Sequence, residues 1–500
     1  MHHKNIKLRV KKQLKRKFPK WKRLPKKMKR EIFSKVMDKV TADYDFNQEI
    51  TAPVAELLGI ENQLPAEGII PLEEMAQYID MVNSDRIIKL SSYDRSSIYI
   101  KDEELQFIDQ LIDDNVINCL LSYDGYSPSM REILPSQLLK AELLKAIKYP
   151  EISYRKFCTD EYLGLDRKQN RVFVGFPLHK RTTIDHTQLC KFRTRLTFVQ
   201  QINLLVYFLH HFYKSGLLGD CTLCGVDSTE LANDCKIPLA SLNIKGKKIR
   251  IYGDLDCDCG SRRNKRDKSI YVVGYRLHTL TVIDAGNGQS FPLVSLVAPA
   301  NHHDSQFLPF LVKLSQAMGI DIQLVTADEA YHDKDGSLFN ETGVIVTTPP
   351  SSTVSTPDNV TARTGEVFCH GECSIPMHHV GSDGQEHEFK CRANPGECPY
   401  SDNCPQYRFM PMDGGLFQRI PLTSKGIEDA HEIRKNCERP FNLLKNQVGL
   451  EKIRVRSQHA TMSRCTFSTI AVLLIKMAGE RKKEKVVKEQ PFIFDDVVNM

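Results

Sequence analysis

The first thirty residues contain no aspartate or glutamate, although fifteen of them are lysine or arginine. The whole chain has a formal net charge of +7, so residues 31–500 together carry a net charge of −8. The excess positive charge is therefore confined to the N-terminus. This composition is typical of a solvated tail that binds polyanions by releasing their counterions.

Long apolar runs are also absent. Residues 198–213 are interrupted by two glutamines, an asparagine and two histidines, and residues 467–475 are too short to cross a membrane. The N-terminus is too highly charged for a secretory signal and lacks the apolar face of an interfacial helix. The sequence therefore predicts a cytoplasmic protein without a membrane partner.

The chain has a single tryptophan, Trp21. It has fifteen cysteines, an odd number. In a reducing cytosol, clustered cysteines indicate a metal site before a disulfide. The cluster in this chain consists of Cys369, Cys373, Cys391, Cys398 and Cys404. Its spacings are looser than paired C-x-x-C knuckles, so two interpretations stay open. It forms a structural metal site, for Zn²⁺ before an iron–sulfur cluster, or it is a set of partly buried thiols.

A helix with a basic outer face is predicted at residues 182–196, TTIDHTQLCKFRTRL. Asp185 followed by Gln188 predicts a capping box, and apolar residues recur every three or four positions after it. Lys191 and Arg195 then point away from the core. Two interpretations remain open, the recognition helix of a helix-turn-helix element and an ordinary core helix.

From about residue 216 the periodicity changes from helices to strands. The predicted strands are LCGVDST at 223–229, a long alternating segment at 271–284, FPLVSLVAP at 291–299, a strand ending at Asp328, and GVIVTT at 343–348. The order is a three-stranded meander followed by helix, strand, helix, strand and a final helix. Asp227 ends the first strand, as Asp328 ends the fourth.

The final helix is predicted at residues 431–445, HEIRKNCERPFNLLK. Arg434 precedes Glu438 by four residues and Lys445 follows it by seven, so about 100° per helical residue places all three on one face. A carboxylate between two cations suits a site that handles metal and phosphate together. An exposed helix with ordinary ion pairs is the alternative. Pro440 predicts a kink just after the carboxylate.

The spacing Arg-x3-Glu-x6-Lys resembles the signature of the DDE transposases of bacterial insertion sequences. That signature begins with a tyrosine three residues before the arginine, where this chain has His431. The segments VDST, GYRLH, ANHHDS and TADEAY also occur in the family's order, and the resemblance covers roughly residues 223–475. By position, His431 is expected to contact DNA phosphate, as the tyrosine does in the family.

The resemblance implies an enzyme of DNA transposition that cuts transposon ends and joins the freed 3′-hydroxyl to target DNA. Asp227, Asp328 and Glu438 are expected to be catalytic and to hold two Mg²⁺ or Mn²⁺ ions, while Arg434, Lys445 and His431 contact DNA. The expected partners are the transposon ends, the target DNA and further copies of the chain, in a bacterial nucleoid. The alternative is a catalytically silent, transposase-derived DNA-binding protein.

The implied fold class is α/β, a ribonuclease H-like mixed sheet with flanking helices, preceded by an all-α domain. The expected domains are a basic tail at 1–45, a helical DNA-binding domain at 46–215, a catalytic domain at 216–480 with a β-rich insertion at 349–424, and a charged tail at 481–500. Related enzymes with such an insertion can cleave through a DNA hairpin and trap a flipped base on an aromatic residue. Tyr400, Tyr407 and Phe409 are the candidates, and this route stays open.

A second set of carboxylates competes with Asp227 for the first position. Asp254, Asp256 and Asp258 lie in YGDLDCDCG, a loop predicted to be either solvated or turned towards nucleic acid. Asp227 is preferred because it follows a short apolar run suited to a central strand, which holds a ligand rigidly.

The run His302, His303 and Asp304 also contains metal-ligand residue types. It lies where a strand ends and a helix begins, so a capping role is preferred over a metal site.

Overall fold

The structure is a computed structural model that describes residues 2–18, 21–41, 68–84, 100–122, 133–219, 221–244, 247–263, 269–283, 289–331, 336–349, 356–361, 364–369, 375–393, 406–412, 417–423, 425–451 and 453–489. Eleven α-helices precede the sheet in these ranges: His2–Lys17, Lys26–Thr41, Met75–Ser84, Glu103–Leu111, Asp114–Leu120, Pro135–Lys148, Tyr154–Phe157, Asp160–Leu163, Lys168–Val174, His186–Arg195 and Phe198–Lys214. The later described α-helices are Leu308–Ala317, Ser337–Thr342, Lys425–Ile433, Glu438–Asn442 and Gln458–Glu489.

The described strands are β1 Leu223–Ala232, β2 Ala240–Ile244, β3 Lys247–Ile251, β4 Asp258–Arg263, β5 Ser269–Ile283, β6 Ser290–Pro299, β7 Leu324–Thr326, β8 Ile345–Thr347, β9 His378–Ser382, β10 Glu386–Lys390 and β11 Tyr407–Pro411. In the central sheet β1 lies between β5 and β7, and β8 follows β7. The first half of β5 pairs with β4 and its second half with β6, all antiparallel. The strands β1, β7 and β8 are parallel.

This is a mixed α/β fold with a mixed sheet. The strands β1, β5, β6 and β8 lie where the apolar periodicity predicts them. The strand β6 is buried along its whole length because the helix Gln458–Glu489 covers it. That helix also packs against Pro135–Lys148 and Phe198–Lys214, so the helices and the sheet share one core.

One helix of the described residues is long and apolar enough to cross a membrane, by length and composition only. It is Gln458–Lys483, which extends the short apolar run at 467–475 on both sides. The sequence predicts no such helix, because polar and charged residues flank that run. Within the chain 78% of its most apolar window is buried, which is the packing of a core helix.

The N-terminal residues do not form a solvated tail. The helices His2–Lys17 and Lys26–Thr41 pack against each other and against the hairpin β2–β3. Their apolar side chains, Val10, Leu14 and Trp21 among them, are buried there. The expectation is wrong for these helices because the apolar residues recur at helical spacing inside a lysine-rich composition, which hides the pattern.

The loop that contains Asp254, Asp256 and Asp258 has a buried end. That end has a structural role and is neither solvated nor turned towards nucleic acid. Asp254 is buried, and its Oδ2 accepts hydrogen bonds from the Tyr275 hydroxyl at 2.6 Å and the Ser457 amide at 3.1 Å. Asp256 Oδ2 accepts from the Gln458 amide at 3.1 Å. The loop therefore caps the first turn of the long C-terminal helix, and the prediction for this loop is corrected.

The helix His186–Arg195 begins where the sequence predicts. Asp185 and Gln188 form a reciprocal capping box, with the Gln188 side chain 2.7 Å from the Asp185 amide. Lys191 and Arg195 are exposed. A role in reading DNA stays a prediction.

The described part of the segment 349–424 contains the antiparallel sheet β9–β10–β11 with a small core of its own. Cys369 is buried in this core and Cys391 packs against it. Cys373, Cys398 and Cys404 lie outside the described residues, so the predicted metal site stays a prediction.

Candidate active site

The parallel register places the first two predicted carboxylates side by side. Gly225 of β1 lies opposite Thr326 of β7, and Asp227 and Asp328 each follow two residues later. Adjacent strands of a sheet lie about 4.8 Å apart, and β1 and β7 run in the same direction. The two aspartates therefore emerge where the pairing of β1 with β7 stops. Asp227 does not end its strand as predicted, because β1 continues to Ala232 along β5.

Burial and neighbouring charges raise the pKa of both aspartates. The pKa of Asp227 is raised to about 6, mainly by burial and also by the carboxylates of Asp328 and Glu438, while Arg434 and the Ser228 amide oppose the shift. Burial also raises the pKa of Asp328, and Arg434 opposes this shift as well. Glu438 and Arg434 thus lie within electrostatic range of Asp227.

The segment that carries Glu438 is not a uniform α-helix. The α-helix Lys425–Ile433 passes into a 3-10 turn at Arg434–Cys437, the α-helix Glu438–Asn442 and a π-helical turn at Leu443–Gln447. The assumption of 100° per residue is therefore wrong between Arg434 and Lys445. Glu438, Arg434 and Lys445 therefore do not share one regular helical face. Lys445 lies half-buried in the π-helical turn.

Pro440 explains part of this irregularity. A proline at this position cannot donate an amide hydrogen bond to the Asn436 carbonyl one turn earlier. The hydroxyl of Ser290, at the start of β6, donates to that carbonyl at 2.9 Å. The sheet thus replaces the missing helical donor and fixes the turn that precedes Glu438.

A glycine lets the same turn approach the central strand. A Cβ atom built on Gly225 would lie 1.9 Å from Cys437 Sγ, far closer than atoms can pack. Cys437 is buried, and burial raises the pKa of its thiol to about 12. The absent side chain at Gly225 therefore allows the residue before Glu438 to lie directly against the strand of Asp227.

Asp304 is a fourth carboxylate at this edge. It is buried, it accepts a hydrogen bond from the Ser228 hydroxyl at 3.0 Å, and it forms an ion pair with Arg276. Its charge raises the pKa of Asp328. The sequence assigns it only a capping role, because its pairing with Arg276 brings together motifs that are far apart in the chain.

The N-cap in this run is His303, one residue before the position at which a cap is predicted. His303 precedes the 3-10 helix Asp304–Gln306, and its Nδ1 accepts a hydrogen bond from the Ser305 amide at 3.3 Å. His302 is half-buried beside Gln306.

Below the carboxylates, Tyr331 and His278 form a buried pair. The Tyr331 hydroxyl lies 3.0 Å from His278 Nδ1, and the His278 ring stacks on Phe307 with centroids 4.0 Å apart. Burial lowers the pKa of His278 to about 3, so its imidazole is neutral. The two residues end the segments GYRLH and TADEAY, but the sequence gives no sign that the ends of these segments meet.

His431 is hydrogen-bonded within the chain. Its Nε2 lies 3.1 Å from Thr347 Oγ1 at the end of β8. Burial and the neighbouring Arg434 lower the pKa of His431. At Nε2 this histidine holds the final helix against the sheet, and a contact to DNA phosphate stays a prediction.

The donor set fits a hard divalent cation, since carboxylate oxygens are the ligands that Mg²⁺ prefers. A nearby cation would also stabilise the ionised form of a buried carboxyl whose pKa is raised. Within the described ranges, however, no group of three or more His, Cys, Asp or Glu side chains is close enough together to hold a metal ion. Metal binding by Asp227, Asp328 and Glu438 is therefore a proposal.

Comparison with known proteins gives limited information. No family model matches the chain, and no curated protein matches it. A solved piggyBac transposase synaptic complex with hairpin DNA is similar over 77% of this chain and 75% of that chain, with 8% sequence identity and a TM-score of 0.32. A similarity at this level assigns neither a family nor an activity.

Proposed function

We propose that this chain is a DDE-type DNA transposase of the bacterial insertion-sequence class. The observation that carries the proposal is the parallel register that sets Asp227 and Asp328 side by side. The charges of Glu438 and Arg434 also act on the pKa of Asp227. The strand order, with an antiparallel meander next to parallel β7 and β8, supports a ribonuclease H-like fold. The working location is the bacterial cytoplasm, where the chain acts on DNA as a homo-oligomer.

In this proposal Asp227, Asp328 and Glu438 hold two Mg²⁺ or Mn²⁺ ions. Such ions, when bound, lower the pKa of an attacking water or 3′-hydroxyl and stabilise the leaving oxygen of an in-line displacement. The rigid strands orient the carboxylates, and Asp304 fixes β1 next to Asp227 through Ser228. Arg434 and Lys445 bind the phosphates next to the scissile bond.

The hairpin route has candidate residues but no further support. Tyr400 lies outside the described residues, while Tyr407 and Phe409 on β11 are 37% and 59% exposed. An exposed aromatic face can stack on a base.

The test uses the purified full chain, Mg²⁺ and the DNA that flanks its own gene. Cutting with joining supports the proposal, binding without cutting favours the silent alternative, and cutting without joining indicates a nuclease. Asp227→Asn, Asp328→Asn and Glu438→Gln should each abolish cleavage and leave DNA binding intact. Asp321→Asn, an exposed aspartate near β7, is the matched control and should cleave normally. Normal cleavage by all three site variants would overturn the assignment.

A further inference from the structure

Segments far apart in the chain build one small folded body, here called the basic lobe: residues 7–18, 21–37, 240–244 and 247–251. Val10, Leu14, Trp21, Ile32, Leu242 and Ile249 are among the side chains of its apolar core, which is separate from the main core. The N-terminal helices therefore need the hairpin β2–β3 in order to bury their apolar faces.

Polar contacts fix the position of the basic lobe. The Gln13 side chain donates to the Asn243 carbonyl at 2.6 Å and accepts from the Asn243 amide at 3.2 Å, so it satisfies the edge of β2. Lys35 forms an ion pair with Asp256, which belongs to the loop that caps the long helix. The first contact joins helix and hairpin within the lobe, and the second attaches the lobe to the body of the protein.

The basic lobe concentrates positive charge to an unusual degree. Its helical residues, 7–18 and 21–37, contain fourteen lysines and arginines and its hairpin strands contain three, against a single acid, Glu31, which gives a net charge of +16. The rest of the chain, given a total of +7, therefore carries −9. The net charge of +7 for the whole chain therefore hides a strongly basic lobe and an acidic remainder.

The charges are displayed on the outside of a folded surface. The lysines and arginines from Lys7 to Lys17 are exposed, while Val10 and Leu14 of the same helix are buried. On β3, Lys248 and Arg250 are exposed and alternate with buried isoleucines. Helix and hairpin therefore both present basic side chains to solvent from a folded body.

We infer that the basic lobe is a docking surface for the phosphate backbone of duplex DNA, which it binds without reading base sequence. The inference rests on the proposed function for the choice of DNA. A lipid surface fits less well, because an amphipathic helix at a membrane needs its apolar face for the lipid. In this lobe Val10, Leu14 and Trp21 already use that face to pack on β2–β3.

The first test removes charge without disturbing the core. Lys11→Gln, Lys12→Gln and Lys15→Gln are combined in the Asp227→Asn protein, and duplex DNA binding is measured without divalent metal at several salt concentrations. Binding should weaken roughly tenfold or more, and the slope of log K against log salt should fall by roughly 0.9 for each phosphate that the variant no longer neutralises. The control triple, Lys390→Gln, Lys482→Gln and Lys483→Gln, removes three exposed charges outside the lobe and the predicted DNA-binding domain and should keep the slope.

The second test removes the fold of the lobe and keeps every charge. Leu14→Asn disrupts the buried cluster, whereas Leu8→Asn changes a leucine of the same helix that is 68% exposed. The emission of Trp21, the single tryptophan of the chain and buried in the lobe, reports folding directly. Leu14→Asn should shift the emission to the red and weaken duplex binding, and Leu8→Asn should do neither.

Two results would overturn the inference. One is a Leu14→Asn protein with red-shifted emission but unchanged DNA binding, because an unfolded basic tail would then be enough to bind DNA. The other is tighter binding of the lobe to single-stranded RNA or anionic vesicles than to duplex DNA. Because all measurements use an inactive protein, a failure of the parent protein to cleave DNA would reject the proposed function without affecting this inference.

Discussion

Gly225 and Cys437 lie so close together that Gly225 has no room for a side chain. The Cβ of an alanine at 225 would meet Cys437 Sγ at 1.9 Å and Ile283 Cδ1 at 3.0 Å. Both residues are one or two positions from a predicted catalytic carboxylate, Asp227 on the strand and Glu438 on the helix. The missing side chain at Gly225 therefore allows the segment of Glu438 to pack against the strand of Asp227.

Gly225→Ala should push the turn that precedes Glu438 away from β1. We expect a loss of about 1–3 kcal/mol in the free energy of unfolding, because the core is overpacked. Metal-dependent cleavage should slow by roughly 100-fold if the carboxylate moves by about 1 Å. Adding Cys437→Ala should restore most of the activity. Gly381→Ala, which has open space around it, is the control, and equal losses in both glycine variants would contradict the idea.

The raised pKa of Asp227 predicts a pH-dependent stability. The carboxyl has a pKa of about 6 in the folded state and 3.8 as the reference value, so the folded protein favours the protonated form. Stability should fall as the pH rises from about 4 to 6 and stay lower above that, by roughly 2–3 kcal/mol from this group. Asp227→Asn should remove this loss. In urea unfolding, the free energy of unfolding of the variant should therefore rise relative to that of the parent between pH 4 and 7. A constant difference over this range would contradict the assignment.

Asp254→Asn should destabilise the fold. Its Oδ2 accepts hydrogen bonds from Asn233, Tyr275 and the Ser457 amide, and a buried acceptor that loses its charge costs about 1–3 kcal/mol. Ser457 has a φ of 75°, so this contact also holds a strained residue at the start of the long helix. Urea unfolding measures the effect against Asp234→Asn, an exposed aspartate. The folded protein should still cleave DNA, and a folded but inactive variant would make the loop a candidate metal site again.

Ser290→Ala should loosen the turn before Glu438. The hydroxyl replaces the helical donor that Pro440 lacks, so its loss should cost about 1 kcal/mol and reduce cleavage several-fold. In a Pro440→Ala background the new amide can donate to Asn436, and the effect of Ser290→Ala should shrink. Ser315→Ala removes a buried hydroxyl bonded to its own helix and should not couple to Pro440→Ala. Additive losses at Ser290 and Pro440 in a double-mutant cycle would contradict the arrangement.

The cysteines of the segment 349–424 predict a structural metal. Carefully purified protein should contain close to one zinc per chain, and Cys398→Ser should release it and lower the unfolding temperature of this segment. Cys190→Ser, at an exposed free cysteine, is the control and should keep the metal. Protein without zinc or iron would leave the interpretation of partly buried thiols.

Local patterns were enough to place the main strands and the capping box at Asp185, because these depend on the periodicity and chemistry of neighbouring residues. The apolar run before Asp227 and the strand before Asp328 could be recognised in the same way. The sequence also identified the carboxylate within the motif around Glu438. It could not show that Asp304 joins this site, since Arg276 and Ser228, its partners, come from other segments.

By itself the sequence determined the positions of the main strands and of the helix after Asp185, the alternation along β5, and which carboxylates follow apolar strand residues. Only the tertiary structure decided that the basic N-terminal helices fold onto β2–β3, and that the loop of Asp254 caps a helix some two hundred residues later. It also decided how close Glu438 comes to Asp227, through the contact of Gly225 with Cys437. The physical reason is that periodicity and capping act over a few residues, whereas burial and close packing depend on which distant segments meet.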